Sequence, residues 1–411
     1  MNYSCLFKNV IIISLLLNTY FCKEIKNIKY IETEIYSKYP NKVEDNYFYE
    51  NCTSNLIFTQ IKLGSEKQIM EMKLELDYYE TIIVEKEYVD QKSFSPYETK
   101  LSKTFSNTGM YFYGKPHPIH YYLAKDNLIV ANGTKSIKLD DFSLAFMDIW
   151  HDYDRVAGVI GLSFLKNEQV LKLNREKFSN LNLNFIDQLN NKNIITGYSF
   201  TLKYDSTSKY NGNLIIGPDI EEIFPEEIVN LSKYVIKVNE STALRTGEWE
   251  IDVNNILAGD SELLNKKLVF VFSTDFIRGT DEYTEFILKN FFNELIEEGK
   301  CKKHIFQKWY HNMGIMCQKN IDIKRFPNLI FDLTSSDKAN HLILDYEDLF
   351  EEIGEYKYFK IILSNTIDGG VNQIWYFGNE FYKNNLVTFN KKRKDITIYS
   401  IKNVLKTKMN N

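Results

Sequence analysis

The sequence predicts an all-β protein with a few short helices, and three patterns support this prediction. From Leu56 onward, short apolar runs alternate with charged residues and are separated by Asn, Gly and Asp, as in strands joined by turns. Residues 70–77 alternate apolar and charged side chains at a strict period of two, which is typical of a half-buried strand. Helical patterns are few and short, at 185–190, 282–298 and 345–352, whereas an α/β protein would show a helix after nearly every strand.

The length and composition bound the size of the fold and exclude one class of partner. The 411 residues are 44% hydrophobic and 15% aromatic, which is enough apolar material for one large two-lobed unit or two ordinary domains. The formal net charge is -5, and lysines and acidic residues are interspersed along the chain. Because no basic stripe is available to neutralise phosphates, we expect no nucleic-acid partner.

The first 22 residues have the pattern of a signal peptide. Lys8 precedes an apolar stretch over residues 10–17 that is interrupted only by Ser14. A membrane-spanning helix needs about 20 apolar residues, so this stretch is too short to anchor the chain. No later segment has that length and apolarity, and residues 402–411 are mostly polar. We therefore expect a protein of the secretory pathway or the extracellular space, without a membrane anchor.

Local motifs recur in both halves of the chain between about Leu56 and Tyr399. The first half has a strand with a Gly-containing turn, a Tyr-Gly pair and an apolar segment between two glycines, at 57–68, 113–114 and 158–162. The second half has a Trp-containing strand, a Pro-containing strand and a Trp-apolar-apolar-Gly segment, at 249–251, 326–330 and 375–378. This order and spacing resemble the pepsin-like aspartic proteases. The resemblance implies a bilobal pepsin-like fold of two related β lobes.

The expected division of the chain combines composition with this resemblance. Residues 23–50 are rich in Lys, Glu, Asn and Tyr without a sustained period, and we interpret them as a leader or amino-terminal arm. The resemblance implies an N-terminal β lobe with a flap at 51–195, a C-terminal β lobe at 196–401 and a polar tail at 402–411. Tyr113, Gly114 and His117 would then belong to the flap, the hairpin that closes over the cleft between the lobes.

The catalytic positions implied by the resemblance are degenerate. Such proteases use two facing carboxylates that share one proton, each supplied by an Asp-Thr-Gly turn. In the second lobe, Val271 stands at the Asp position and is followed by Phe272 and Ser273. Asp275, four residues further on, would have to reach back across the turn to replace the missing carboxylate.

Two alignments remain open for the first lobe. An ungapped count from Gly64 and Gln68 places Glu75 at the catalytic position, whereas the alternation and the apolar residues at 82–84 favour Asp77. With Asp77, the turn contains neither the Thr nor the Gly of the family. Either alignment leaves at most one carboxylate of the pair.

The sequence therefore favours a secreted pepsin-fold pseudoprotease that binds a peptide or protein in the cleft between its lobes. One alternative is an active aspartic-type endopeptidase with a rearranged catalytic site, and another is a secreted surface or structural interaction protein. We expect no cofactor. We also expect no metal site, because His117 and His120 lie among prolines in a loop without a neighbouring ligand cluster.

Cysteines and Asn-X-Ser/Thr sequons complete the sequence evidence. Removal of the signal peptide would leave three cysteines, an odd number for an oxidising compartment. The resemblance implies a disulfide between Cys301 and Cys317, with Cys52 left over. Four sequons are candidate glycosylation sites in a secreted chain, beginning at Asn51, Asn132, Asn230 and Asn239.

Overall fold

The computed structural model describes residues 29–38, 56–86, 95–114, 119–147, 156–164, 183–205, 211–272, 277–279, 281–306, 312–333, 340–364 and 374–400. The predicted signal peptide at 1–22 and the polar tail at 402–411 lie outside these residues. Of the described residues, 56% are in strands and 20% in helices, so the prediction of a mostly β protein with few short helices is confirmed.

The described strands form two large sheets. The first eleven in chain order belong to the first sheet: β1 (Ile31–Lys38), β2 (Leu56–Leu63), β3 (Gln68–Glu75), β4 (Thr81–Val84), β5 (Ser106–Gly114), β6 (Ile119–Asn132), β7 (Lys135–Met147), β8 (Gly158–Gly161), β9 (Ser199–Tyr204), β10 (Asn211–Gly217) and β11 (Ser232–Lys237). The next eleven belong to the second sheet: β12 (Trp249–Ala258), β13 (Ser261–Phe270), β14 (Ile277–Gly279), β15 (Cys301–Phe306), β16 (Asn312–Gln318), β17 (Leu329–Leu333), β18 (Asn340–Leu344), β19 (Phe350–Ile353), β20 (Tyr356–Phe359), β21 (Ile361–Ser364) and β22 (Ile374–Phe377).

The chain then returns to the first sheet with β23 (Asn385–Asn390) and β24 (Asp395–Ser400). Within the described ranges, the order of the first sheet is β11-β24-β23-β9-β10-β1-β2-β3-β8-β4-β7-β6-β5. The order of the second is β18-β17-β12-β13-β22-β14-β21-β16-β20-β19, with β15 paired to β16. The carboxyl-terminal strands therefore extend the sheet that the amino-terminal half begins.

The described α-helices are short: α1 (Phe185–Asn191), α2 (Ile220–Ile223), α3 (Pro225–Ile228), α4 (Glu240–Thr246), α5 (Asp281–Ile287), α6 (Asn293–Glu297), α7 (Tyr346–Leu349) and α8 (Asn379–Asn384). The predicted helix at 185–190 corresponds to α1. The pattern at 282–298 forms α5, a π-helical segment at Leu288–Phe292 and α6. The pattern at 345–352 gives only α7, because Phe350 begins β19 and is buried there. None of the helices in the described part of the chain is long and apolar enough to cross a membrane.

The two sheets share one arrangement of strands. In the first sheet, β8 lies between β3 and β4, parallel to β3 and antiparallel to β4, and β4 runs parallel to β7. In the second, β22 lies between β13 and β14 with the same two directions, and β14 runs parallel to β21. Antiparallel hairpins, β2–β3 and β12–β13, precede the two arrangements. The apolar segments at 158–162 and 375–378 thus fall at corresponding places in two similar strand patterns.

The strand β1 lies in the segment that sequence analysis interpreted as a leader or arm of uncertain order. It pairs antiparallel with β10 on one side and with β2 on the other. Ile31 and Ile35 are buried in the core, and the Thr33 hydroxyl lies 3.2 Å from that of Thr59. Residues 31–38 are therefore an interior strand of the first sheet.

A continuous apolar core joins the sheets, and Trp249 of β12 lies at the junction. Its indole Nε1 donates a hydrogen bond of 3.2 Å to the carbonyl of Leu162, which follows β8. Its ring centroid is 4.3 Å from that of Phe164 and 5.0 Å from that of Phe389 in β23. Aromatic rings at such separations contribute to stability beyond the area that they bury.

Candidate functional site

The candidate site is the end of β3 and the loop that follows it. Lys73 and Glu75 alternate with Met72 and Leu74 and therefore share one face of the strand. Only 6% of the Lys73 side chain and 5% of the Glu75 side chain are exposed, and the two form an ion pair. Sequence analysis expected this strand to be buried on one face, but both faces are buried here. Burial of both polar side chains on one face is possible because the Lys73 amino group and the Glu75 carboxyl group contact each other.

The Glu75 carboxyl group is electrostatically unusual. Burial raises its pKa to about 8, the nearby Lys73 ammonium opposes this shift, and the Asp77 carboxylate reinforces it through charge and a side-chain hydrogen bond. Asp77 itself is exposed to solvent. The two alternative first-lobe candidates thus lie in contact, one buried and one at the surface. A raised pKa is typical of a buried carboxyl group beside a second carboxylate.

The strand register identifies which of these residues corresponds to Val271. Glu75 of β3 pairs with Gly161 of β8. In the second sheet, β13 and β22 run parallel and Phe270 pairs with Phe377. One residue further along both strands, Val271 is therefore the counterpart of Gly378. The Val271 N–H also donates a 3.0 Å hydrogen bond to the Phe377 carbonyl. Val271 therefore occupies the place that Glu75, and not Asp77, holds in the first sheet.

The start of the second loop is built into the core. The Phe272 side chain is fully buried, and its ring centroid lies 5.2 Å from that of Tyr382 and 6.2 Å from that of Phe389. Val271 is partly buried. Asp275, the only carboxylate considered as a replacement, lies outside the described residues, as does Ser273.

The first loop is held against β8 and α1. A Cβ atom at Gly161 would lie 2.5 Å from the carbonyl oxygens of both Tyr78 and Glu80, so the close crossing of two backbones expected at this segment requires glycine. Asn184, the N-cap of α1, donates from Nδ2 to the Tyr79 carbonyl at 2.9 Å and to the Gly161 carbonyl at 3.3 Å. These contacts fix the loop backbone.

A buried lysine anchors the same loop through Tyr79. Lys391 Nζ lies 3.1 Å from the Asp187 carboxylate and 5.2 Å from the centre of the Tyr79 ring, and the Tyr79 hydroxyl donates to Asp187 at 3.4 Å. Burial lowers the pKa of Lys391 to about 8, although Asp187 opposes this shift. Tyr79 therefore points inward. The exposed residues of this loop are Asp77 and Tyr78, and Tyr78 is 39% exposed.

The flap candidates lie at the end of the β5–β6 hairpin. Tyr113 and Gly114 are the last residues of β5, and Tyr113 pairs with His120 of β6. His117 lies outside the described residues. Nearby, Tyr111 is 64% exposed, whereas Tyr122 stacks on Phe146 at 5.3 Å. Tyr111 is therefore an exposed aromatic side chain of this hairpin, and Tyr122 is a packed one.

The predicted disulfide is confirmed. Cys301 and Cys317 stand opposite each other in β15 and β16 and are joined by an S–S bond of 2.03 Å. Cys52 lies outside the described residues. Among the residues that the structure describes, no group of three or more His, Cys, Asp and Glu side chains could hold a metal ion.

The sequons differ in how their Asn side chains are used. Asn132 accepts a hydrogen bond of 2.9 Å from the Glu32 N–H, and Asn239 caps α4 by accepting from the Thr242 N–H at 3.3 Å. Asn230 is exposed. Asn51 lies outside the described residues.

Sequence reasoning missed Lys73, Asp187 and Lys391. The position of Lys73, two residues before Glu75 in a strand, was the available signal for a shared face. Lys391 is far from Asp187 in sequence, and no local pattern could have linked them.

Comparison with known proteins adds no assignment, because no protein-family model and no curated protein matches this chain.

Proposed function

We propose that this chain is a pepsin-fold protein that has lost peptide hydrolysis and acts by binding a peptide or protein segment in a cleft between two lobes. The observation that carries the proposal is the pair of corresponding positions at the ends of β3 and β13. One holds Glu75, which is bound to Lys73, and the other holds Val271.

Support for the fold assignment comes from the repeated strand pattern. In each sheet, a strand enters from a hairpin and a loop follows it. An apolar strand then lies between that strand and the next, ending at Gly161 in the first sheet and followed by Gly378 in the second. The resemblance found in the sequence assigns its two catalytic turns to these two loops. The pattern and the motifs therefore agree on where a catalytic pair would have been.

The chemistry at these positions does not suit hydrolysis by a carboxylate pair. Such a pair works because two facing carboxylates share one proton, one activating water and the other donating to the scissile carbonyl. Val271 can neither accept nor donate a proton, and Glu75 is nearly inaccessible and paired with a cation. Loss of a positioned acid or base lowers rates by about 10²–10⁴.

Binding without hydrolysis fits the way in which the first loop is held. Its backbone is fixed by Asn184 and its Tyr79 by Lys391 and Asp187, while Tyr78 and Asp77 face solvent. A recognition surface on a preorganised loop loses little conformational entropy when it binds. The ligand of such a surface would be an extended segment with an apolar or aromatic side chain for Tyr78.

A two-part experiment tests the proposal. Purified protein is incubated with a diverse peptide library from acid to neutral pH, with and without a pepstatin-like inhibitor, and both cleavage and retained peptides are measured. We expect retention without cleavage, and we expect Tyr78→Ala to reduce retention while Ile305→Ala, at an exposed apolar position of β15, leaves it unchanged. Inhibitor-sensitive cleavage, or no retention of any peptide, would contradict the proposal.

One observation favours a second candidate, an endopeptidase with a rearranged site. Glu75 and Asp77 are hydrogen-bonded carboxyl groups, and burial and Asp77 raise the pKa of Glu75 to about 8 despite Lys73. Two such groups can share a proton and divide the acid and base roles. Cleavage that is lost in both Glu75→Gln and Asp77→Asn would support this candidate over a binding protein.

A further inference from the structure

The exposed turn at Asn230 differs from the other described sequons. Asn230 follows α3 and precedes β11, in a turn closed by a 2.9 Å hydrogen bond from the Leu231 N–H to the Ile228 carbonyl. Its side chain is exposed and makes no hydrogen bond within the described ranges. The turn therefore leaves the Asn230 amide free to carry a substituent.

The Asn132 and Asn239 amides are already engaged. Asn132 is half-buried, accepts from the Glu32 N–H and donates to the Tyr30 carbonyl at 3.4 Å, so it ties the β6–β7 turn to the start of β1. Asn239 caps α4 and donates to the Asp252 carboxylate at 3.2 Å. A glycan replaces one hydrogen of Nδ2 and keeps the Oδ1 acceptor, so on either amide it would crowd the Nδ2 contact, with the Tyr30 carbonyl at Asn132 and with the Asp252 carboxylate at Asn239.

The surroundings of Asn230 give a substituent there a physical role. Its neighbour Val229 is 73% exposed, and Val235 of β11 is 40% exposed. In the described part of the first sheet β11 is an edge strand, paired only with β24. Exposed edge strands with apolar side chains favour unwanted pairing between chains unless they are covered or charged. β11 already carries the exposed Lys233 and Lys237, and a bulky hydrophilic group at Asn230 would add cover at Val229 and at the start of this edge.

We propose that Asn230 is the N-glycosylated residue among the described sequons and that its glycan shields Val229 and the β11 edge. The donor is a lipid-diphosphate-linked oligosaccharide with an N-acetylhexosamine at its reducing end. Asn230 Nδ2 forms a bond to the anomeric carbon, the bond from that carbon to the diphosphate oxygen breaks, the lipid diphosphate leaves with the electron pair, and one Nδ2 proton passes to the transferase base. This inference requires the secretory route but is independent of the proposed function.

Site occupancy can be measured residue by residue. The full chain, with its own first 22 residues, is produced in a eukaryotic secretory host, and glycopeptides are analysed by mass spectrometry after enzymatic deglycosylation in heavy-oxygen water. We expect the label at Asn230. The intact mass of Asn230→Gln should be lower than that of the wild type by one glycan. Asn132→Gln and Asn239→Gln should keep the glycan.

The shielding role has a separate readout. At equal concentration, deglycosylated protein and the Asn230→Gln variant should self-associate more than the glycosylated protein in sedimentation experiments, and Asn239→Gln should not. The site assignment is wrong if Asn230 is unlabelled, regardless of whether another described sequon carries the label. Occupancy at Asn230 with unchanged self-association overturns the shielding role.

Discussion

At the residue scale, the buried pair of Lys73 and Glu75 distinguishes this chain most clearly from a carboxylate-pair enzyme. A buried ion pair is weak evidence for stability, because desolvation offsets the attraction, but removing one partner is costly. The contact with Lys73 and the burial of both side chains leave the Glu75 carboxyl group nearly inaccessible to solvent. Val271, at the corresponding place in the second sheet, has no group that can exchange a proton.

The raised pKa of Glu75 predicts a pH dependence of stability. Its pKa rises from 4.5 to about 8 on folding, so the folded protein holds this proton over a range in which the unfolded chain has released it. The contribution of Glu75 is therefore fully present below about pH 4.5 and is lost as the pH rises to about 8. We expect Glu75→Gln to unfold with a flatter pH profile than the wild type over this range, measured by urea denaturation.

Two control variants should change the pH profile in other ways than Glu75→Gln does. Lys73→Met removes the cation that opposes the shift, and it should steepen the loss of stability with rising pH. Burial raises the pKa of Asp219, but hydrogen bonds from Ser199, Arg393 and Asn390 outweigh burial and lower it below 3.8. Asp219→Asn should therefore change the profile only as the pH falls into the acid range. Parallel profiles for wild type and Glu75→Gln would show that Glu75 is not perturbed by folding.

At the scale of elements, β1 shows what sequence patterns can and cannot give. Ile31, Thr33 and Ile35 alternate with Glu32 and Glu34, which is the same period-two signal that predicted β3. The surrounding Lys- and Asn-rich composition obscured it. The partners of the strand, β10 and β2, could not be predicted, because pairing between distant segments leaves no local pattern.

Because β1 is an interior strand, we expect truncation of one of its buried side chains to lower the free energy of unfolding strongly. Ile35 is buried, so Ile35→Ala should lower the free energy of unfolding by about 2–5 kcal/mol, as for other large-to-small core substitutions. Glu34→Ala, at the neighbouring exposed position, is the matched control and should change it by less than about 0.5 kcal/mol. Denaturant unfolding measures both. Equal, small effects would mean that residues 31–38 do not pack as an interior strand of the sheet.

The β15–β16 hairpin gives a second prediction at this scale. Cys301 and Cys317 are both buried and directly opposed, and the bond closes a loop with a sequence separation of 16. The loop-entropy model assigns about 3 kcal/mol to a loop of roughly 15 residues. The double variant Cys301→Ala and Cys317→Ala should lose about that much stability. Reductant should lower the unfolding midpoint of the wild type and should leave the midpoint of the double variant unchanged. A wild-type midpoint that reductant does not lower would contradict the expectation.

At the scale of the whole molecule, the sequence predicted the mostly β class and the duplication of motifs, because both leave local signals in apolar periodicity and Gly or Trp placement. The candidate site was predicted less completely. The choice between Glu75 and Asp77 needed the pairing of β3 with β8, and the Lys391–Asp187 contact needed the return of the chain to the first sheet. Both depend on tertiary contacts between segments far apart in sequence.

The junction at Trp249 determines whether the two sheets unfold together. Trp249 is fully buried in the second sheet, donates to Leu162 beside the first, and packs on Phe164 and Phe389. Because one core spans both sheets, the wild type should unfold in a single cooperative transition, observed at the same denaturant concentration by fluorescence and by circular dichroism. Trp249→Ala should cost about 3–5 kcal/mol through the cavity that it leaves.

The conservative variant Trp249→Phe separates packing from the hydrogen bond at this junction. It keeps most of the apolar contact but leaves the buried Leu162 carbonyl without its indole donor, a loss that costs about 1–3 kcal/mol for a buried group. If the junction couples the sheets, Trp249→Ala should split the transition so that the two probes no longer coincide, while Trp249→Phe should lower stability and keep one transition. Coincident probes in Trp249→Ala would mean that contacts elsewhere in the shared core are sufficient to couple the two sheets.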